Sequence, residues 1–403
     1  MNALKAPRWV VNPAYAANVT LHSRKKDGEP LGFEFPVNEA YKDYFVALAK
    51  LSQIPPGEPL PKALHANLEI FKELGLVVAS DLIPTEVRPS WKASIKDLKH
   101  IPSVFRWEAQ ARLKKNKLRF NRKLVHFQAG NERPPSEIHG IPSTNTFPEQ
   151  GPLVWVFNPQ SQMWAVFEFG SRIGKALKGL SDDTVKVSQL DEPMVELLVH
   201  AGILGETFFE QKSYESCKSQ VRHCQRQIRT LRYTVFRKMI NPLQIAIARS
   251  YFEALQREGY LQIDDSQVVF KRYCRHNDPV LRYIHRQSGE LVRKITGEAV
   301  LPSYSFLSAY MEGAHLARHT DRPQCVWNGS LLFEQIPEVN VEESWPIYLE
   351  IRGKAQEVKL DFGDAVFYSG TEIPHWRERN KPGHRQTLGL LHYVPISFVG
   401  SLD

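Results

Sequence analysis

The chain has 403 residues, is 42% hydrophobic and 24% charged, and carries a formal net charge of +8. That length holds two or three domains with cores of their own. No run of eighteen apolar residues suggests a membrane span, and four cysteines without a CxxC pair are too few for a disulfide scaffold or a structural zinc site.

The opening segment, MNALKAPRWVVNPAYAANV, lacks the continuous apolar stretch of a secretory signal, so the chain is expected to be cytoplasmic and without a membrane partner. The surplus of positive charge favours acidic partners: nucleic acid, an anionic peptide or an anionic cosubstrate. After thirty polar, irregular residues, the pattern turns helical around a Pro/Gly break. Leu60, Leu64, Leu68 and Phe71 recur at spacings of three and four, the signature of one apolar helix face. Gly75 stops that helix before a short strand. The segment 68–77, LEIFKELGLV, matches 195–204, VELLVHAGIL, with Gly75 opposite Gly202. Both read helix, glycine, strand, which suggests two diverged copies of a small winged-helix-like module.

Between them, Arg112, Lys114, Lys115, Lys117, Arg119, Arg122 and Lys123 form a basic run, followed by a Pro-, Ser-, Asn- and Gly-rich stretch expected to be a loop or linker. The basic run reads as a solvated face or as a nucleic-acid contact; its aromatic interleaving is limited to Phe120 and Phe127. Residues 152–170 read as a hairpin turning at NPQSQ. Residues 214–240 read as one long helix, with Val221, Ile228, Leu231 and Val235 as its apolar stripe and Pro242 as its breaker. Another helix, a short strand and a further helix follow. From Tyr304 onward, short β-rich runs alternate with turns, the spacing of a sandwich or barrel.

That last block carries the chemistry. The run AHLARHTDRP holds His319 and Asp321 two positions apart, which in an extended strand puts both side chains on one face. His375 follows a Gly-Asp turn and an apolar strand, which can return it to the same end of a barrel. Two imidazoles and one carboxylate on one side of a metal make the facial arrangement of non-haem Fe(II) oxygenases, with positions left open. If electrons come from a 2-oxo acid, its distal carboxylate needs a basic anchor, best a bidentate arginine. Arg385, ten residues after His375, and Arg377 are the two candidates, and the Tyr310 phenol can add a hydrogen bond. Trp376 and Arg322 lie beside metal-ligand candidates, as mouth residues or as packing and surface charge.

These motifs, from YMEGAHLARHTDRP to GTEIPHWRERNKPGHRQTLGLLHYV, resemble the Fe(II)/2-oxoglutarate-dependent dioxygenases, nearest to the prolyl-hydroxylase-like branch and a bacterial group of unassigned substrate. Tyr310, Gly313, His319, Asp321, His375 and Arg385 match position by position, over roughly residues 225–400. The branch often carries lysine where Arg385 stands. The resemblance implies a double-stranded β-helix (jelly-roll, cupin-like) with flanking helices. It also implies Fe(II) held by His319, Asp321 and His375, and oxidative decarboxylation of 2-oxoglutarate with O2 coupled to hydroxylation of a substrate.

The expected class is therefore α+β, with an N-terminal module (1–110), a linker and second α+β module (111–212) and an oxygenase domain (213–403). The leading reading is a hydroxylase acting on a side chain of a peptide, a protein or a carrier-bound amino acid, with the N-terminal half recognising it. A nucleic-acid oxygenase, and a non-catalytic winged-helix-like regulator with a barrel sensor, are the alternatives.

Overall fold

In the computed structural model, residues 9–11, 60–73, 77–79, 91–106, 115–128, 153–264, 268 and 271–402 are described. The chain divides into two compact units, 1–88 with 253–262 and 89–252 with 263–403. In the first unit, β1 (Trp9–Val11) runs antiparallel to β2 (Val77–Ala79), with Trp9 opposite Ala79. A 3-10 turn, Lys62–Asn67, leads into α1 (Leu68–Glu73), so the expected helix is tight at its start. Leu60, Leu64 and Phe71 are buried, as the apolar spacing requires. Gly75 lies outside the described residues, and so does the helix–glycine–strand step of the first suspected repeat.

The second unit begins with β3 (Lys92–Ala93), β4 (Leu118–Phe120), β5 (Val125–Gln128), β6 (Leu153–Asn158) and β7 (Met163–Phe169). Strands β3-β7-β6-β5 form one sheet. The hairpin turns where expected: the Gln160 backbone N–H donates to Asn158 Oδ1 at 3.0 Å. Helices α2 (Ser171–Ser181) and α3 (Glu192–His200) follow, the latter capped by Asp191, which accepts from the Met194 N–H. Gly202, at φ +76°, then opens into β8 (Leu204–Glu206), which pairs with β4.

Three residues of the basic run are engaged within the protein. Lys115 Nζ donates to the Leu190 carbonyl at 3.0 Å, Arg119 to the carbonyls of Asn116 and Leu118, and Arg122 pairs with Asp183 at 2.8 Å. Arg112 and Lys114, and the stretch 129–152, lie outside the described residues.

The helix read over 214–240 divides in two elements. α4 (Phe209–Leu231) ends at Arg232, which adopts φ +60°, and β9 (Tyr233–Phe236) follows. The aromatic and β-branched run YTVF pairs antiparallel with the strand that leads to His375; sheet pairing overrides the helical continuation. Then come α5 (Pro242–Arg257), β10 (Gln262–Asp264), β11 (Arg272–His276) and α6 (Pro279–Thr296). The boundary expected at 212/213 falls inside this compact unit.

The remaining strands are β12 (Val300–Tyr310), β13 (Leu316–His319), β14 (Trp327–Ile336), β15 (Ile347–Ile351), β16 (Lys354–Val358), β17 (Ala365–Ser369), β18 (His375–Arg377) and β19 (Arg385–Pro395). They pass back and forth between two antiparallel sheets. The major sheet has the order β10-β11-β12-β19-β14-β17-β9 and the minor one β13-β18-β15-β16. That winding is the order of a double-stranded β-helix. Between the sheets, Tyr310, Leu316, Leu332, Leu349, Val366, Tyr368 and Leu388 form a closed apolar cluster. The Gly-Asp turn before β17 is real: Gly363 sits at φ +76°, and the buried Asp364 carboxylate accepts from Arg237 and from the backbone N–H groups of Lys238 and Asp361.

Helix α6 lies on the outside of the major sheet. A Cβ on Gly389 would overlap Leu281, so β19 and α6 touch backbone to side chain. On its other side, Tyr283 donates to the Trp164 carbonyl at 2.6 Å and meets the edge of Trp91 at 5.2 Å. Among the described residues, no helix is long and apolar enough to cross a membrane.

Candidate metal centre

Strands β13 and β18 are neighbours in the minor sheet, and His319 stands directly opposite His375. Their rings lie 4.4 Å apart. Asp321 is two residues past His319 but beyond the end of β13. Its position comes from a backbone hydrogen bond to the Gly370 carbonyl (2.9 Å), rather than from strand alternation. The three side chains converge. Asp321 Oδ1 is 3.3 Å from His319 Nε2, and Oδ2 is 3.5 Å from His375 Nε2. One ligand atom from each lies within 4.8 Å of the others, and this is the group of metal-ligating side chains among the described residues with that property.

Both imidazoles are prepared as ligands. His319 Nδ1 donates to the Ala317 carbonyl at 2.8 Å, and His375 Nδ1 to the Ile373 carbonyl at 3.0 Å. With Nδ1 carrying the proton, each Nε2 presents a lone pair toward Asp321. Electrostatics separate the two rings. When protonated, His319 can donate from Nε2 to Asp321, which raises the pKa of this partly exposed ring, whereas burial lowers that of His375. Burial alone would raise Asp321, but the His319 hydrogen bond and the neighbouring imidazoles outweigh it and hold the carboxyl below its usual range.

Arg377, two residues along β18, shares the inward face with His375 and is 2% exposed. Its Nη1 donates to Gln386 Oε1 (2.9 Å) and to the Trp345 carbonyl (3.2 Å), and the guanidinium lies 4.8 Å from the Trp345 ring and 5.8 Å from that of Tyr310. All of these partners are neutral, and burial lowers the pKa of this guanidinium. Tyr310, also buried, accepts from Arg272 Nη1 at 3.3 Å.

Arg385 stands elsewhere. Tyr310 faces inward and is opposite Gln386, so Arg385, the residue before, points to the other side of the pleat. There it pairs with Glu334 at 3.2 Å, in a cluster with Thr387 and Arg249 of α5. The matching position of Arg385 in sequence therefore does not bring it to His319, Asp321 and His375, whereas Arg377 and Tyr310 lie in the inter-sheet space beside them. The physical reason is pleat parity: one residue of register decides the face. Trp376 likewise faces away and stacks on Tyr348, with ring centroids 5.5 Å apart. Arg322 donates to the Tyr304 hydroxyl at 3.2 Å.

Several inward polar residues escape a reading by motif: Gln386, Arg272, Asn328 and His392. Their signal is a polar residue at an inward position of an apolar strand, as in WNGSLLFEQI and LGLLHYV, where burial demands a partner.

No protein-family model and no curated protein matches the sequence. Many solved structures resemble part of it. A prolyl-4-hydroxylase of Pseudomonas putida aligns at 14% identity and a TM-score of 0.37, covering 43% of this chain and 98% of that one. HygX of Streptomyces hygroscopicus, with nickel and 2-oxoglutarate bound, aligns at 11% and 0.36, covering 44% and 88%. A prolyl hydroxylase in complex with a hypoxia inducible factor peptide, from Trichoplax adhaerens, aligns at 12% and 0.36, covering 44% and 91%.

Proposed function

We propose that this protein is a non-haem Fe(II) oxygenase that consumes 2-oxoglutarate and O2. The observation that carries the reading is the convergence of His319 Nε2, His375 Nε2 and the Asp321 carboxylate with both Nδ1 atoms already engaged by carbonyls. Two imidazoles and one carboxylate on one side suit Fe(II) and leave positions for other ligands. Zinc accepts the same donors. The preference for iron rests on the second feature, a buried guanidinium with neutral partners two residues from His375. A dicarboxylate cosubstrate supplies the anion such a group lacks.

In this reading Fe(II), when bound, supplies the oxidative decarboxylation of 2-oxoglutarate and the activation of O2. His319, Asp321 and His375 hold it. Arg377 binds the distal carboxylate of the cosubstrate, with the Tyr310 phenol as a further donor. The Ala317 and Ile373 carbonyls fix the imidazole tautomers. Leu316, Leu332, Leu388 and Val366 exclude water around the anchor, where a lower dielectric strengthens the ion pair.

The reaction class is hydroxylation of an unactivated C–H, and the substrate a side chain carried on a peptide, a protein or a carrier. The reading is motivated by the module within residues 91–206, which packs on α6 behind the major sheet and, among its described residues, supplies none of the three ligand side chains. Incubation with Fe(II), 2-oxoglutarate and a peptide library should yield succinate and peptides heavier by one oxygen atom. Succinate without any modified peptide would sink the substrate class and leave the oxygenase. A wild-type protein that forms no visible charge-transfer band with Fe(II) and 2-oxoglutarate under argon would sink the oxygenase.

A further inference from the structure

Asp321 is itself held from behind. Its Oδ2 accepts a hydrogen bond from the side-chain amide of Asn328. The amide oxygen of Asn328 meets His392 Nδ1 at 2.7 Å. Asn328 and His392 stand opposite each other on β14 and β19 and are 2% and 7% exposed. Two polar side chains thus share an inward sheet face that also presents Leu332 and Leu388. Burying them is costly unless each is bonded, and here each bonds the other. Space is reserved for the amide as well. A Cβ on Gly370 would overlap the Asn328 amide nitrogen and lie 2.5 Å from the Cys325 carbonyl oxygen.

The orientation of this chain follows from its end. A carboxylate only accepts, so Asn328 must turn its NH2 to Asp321 and its oxygen to His392. His392 must then carry its proton on Nδ1. The oxygen of Asp321 so engaged is Oδ2, while Oδ1 is the one nearest His319 Nε2, at 3.3 Å. A carboxylate with one oxygen committed to a hydrogen bond offers the other to a metal.

We infer, resting on the metal-centre reading above, that Asn328 and His392 are a positioning pair that keeps Asp321 a one-oxygen ligand. A two-oxygen aspartate would consume a coordination position that the cosubstrate or O2 needs. The pair therefore sets how many positions stay open, without touching the metal.

The test uses Co(II) as probe on the full chain, followed by its d–d absorption, whose intensity falls as coordination number rises. Asn328→Leu should bind Co(II) about 10–100-fold more weakly than wild type, with a weaker band per ion bound. His392→Leu should do the same although it touches no ligand. His392→Asn, whose amide N–H can stand in for Nδ1–H, should recover both affinity and spectrum. If Asn328→Leu does not fold, Asn328→Ala, which vacates space instead of filling it, carries the same expectation. Variants that lose thermal stability yet bind Co(II) with wild-type affinity and spectrum would show a packing role only and overturn the pair, leaving the metal centre standing. Wild-type protein that takes up no Co(II) would overturn both.

Discussion

The two sides of the major sheet treat charge in opposite ways. On the helix side, Arg385 and Arg249 face carboxylates, Glu334 and Glu338, at 3.0 to 3.8 Å. Against the inner side, Arg377 of the minor sheet is buried more deeply than either, and it meets an amide oxygen, a carbonyl and two aromatic rings. A guanidinium paired with a carboxylate has its charge balanced already and serves the fold. One surrounded by dipoles and rings still seeks an anion, at a cost in desolvation that a purely structural residue would not need to bear. The difference separates two arginines of which the spacing in sequence favours Arg385.

The comparison breaks first at the metal ligands. His375→Ala should abolish the charge-transfer band with Fe(II) and 2-oxoglutarate, and so should His319→Ala, since a two-ligand remnant holds iron poorly; an unaltered band would end the metal assignment. The next largest contrast is between the arginines. Arg377→Leu should weaken 2-oxoglutarate binding by about 100-fold or more, measured by anaerobic titration at saturating Fe(II). Arg385→Leu should leave that affinity near wild type and instead lower stability by about 1–3 kcal/mol, because Glu334 loses a charged partner. The opposite pattern would restore Arg385 as anchor.

Acid sharpens the contrast at the level of the fold. Burial lowers His285 to about 3 and His200 to about 4, against an ordinary 6.5. Both are neutral in the folded protein down to those values, while the unfolded chain takes up protons below 6.5. Stability is therefore fully present above pH 6.5 and falls as pH drops from there toward 4. At pH 5 each histidine should cost about 2 kcal/mol, visible as a lower urea midpoint. A midpoint that is flat between pH 7 and 5 would contradict their burial as neutral groups. The smallest effect belongs to the exposed pair Arg122–Asp183: Arg122→Ala should change stability by less than about 1 kcal/mol. Salt-dependent retention on single-stranded DNA, lost in that variant, would revive the nucleic-acid reading of the basic run.

What could be read in sequence follows from where local pattern dominates. The strands of the jelly roll alternate or run apolar between turn residues, and WNGSLLFEQI emerges as β14 without a residue's change. The HxD pair and His375 stand out as candidates because each lies in a short local pattern of its own, HxD at a strand and a Gly-Asp turn ahead of His375. What failed to be legible depends on non-local geometry. Val235 fits the helical stripe of α4, but the sheet claims it. Arg385 fits a spacing, but pleat parity turns it outward. Asn328 and His392 are 64 residues apart in sequence and become partners only through register.

Helix α6 is covered on two sides by different parts of the chain. Leu281, His285 and Ser288 face β19, the latter two through the His392 carbonyl and the Tyr393 hydroxyl, while Tyr283 and Gln287 face the β6–β7 hairpin. It is a party wall. A fragment beginning at residue 213, the natural place to cut by motif, would keep every metal ligand and yet strip one side of that wall to water. Such a fragment should be sticky and short-lived, and the half that carries the candidate metal centre is best purified with the module that shares its wall.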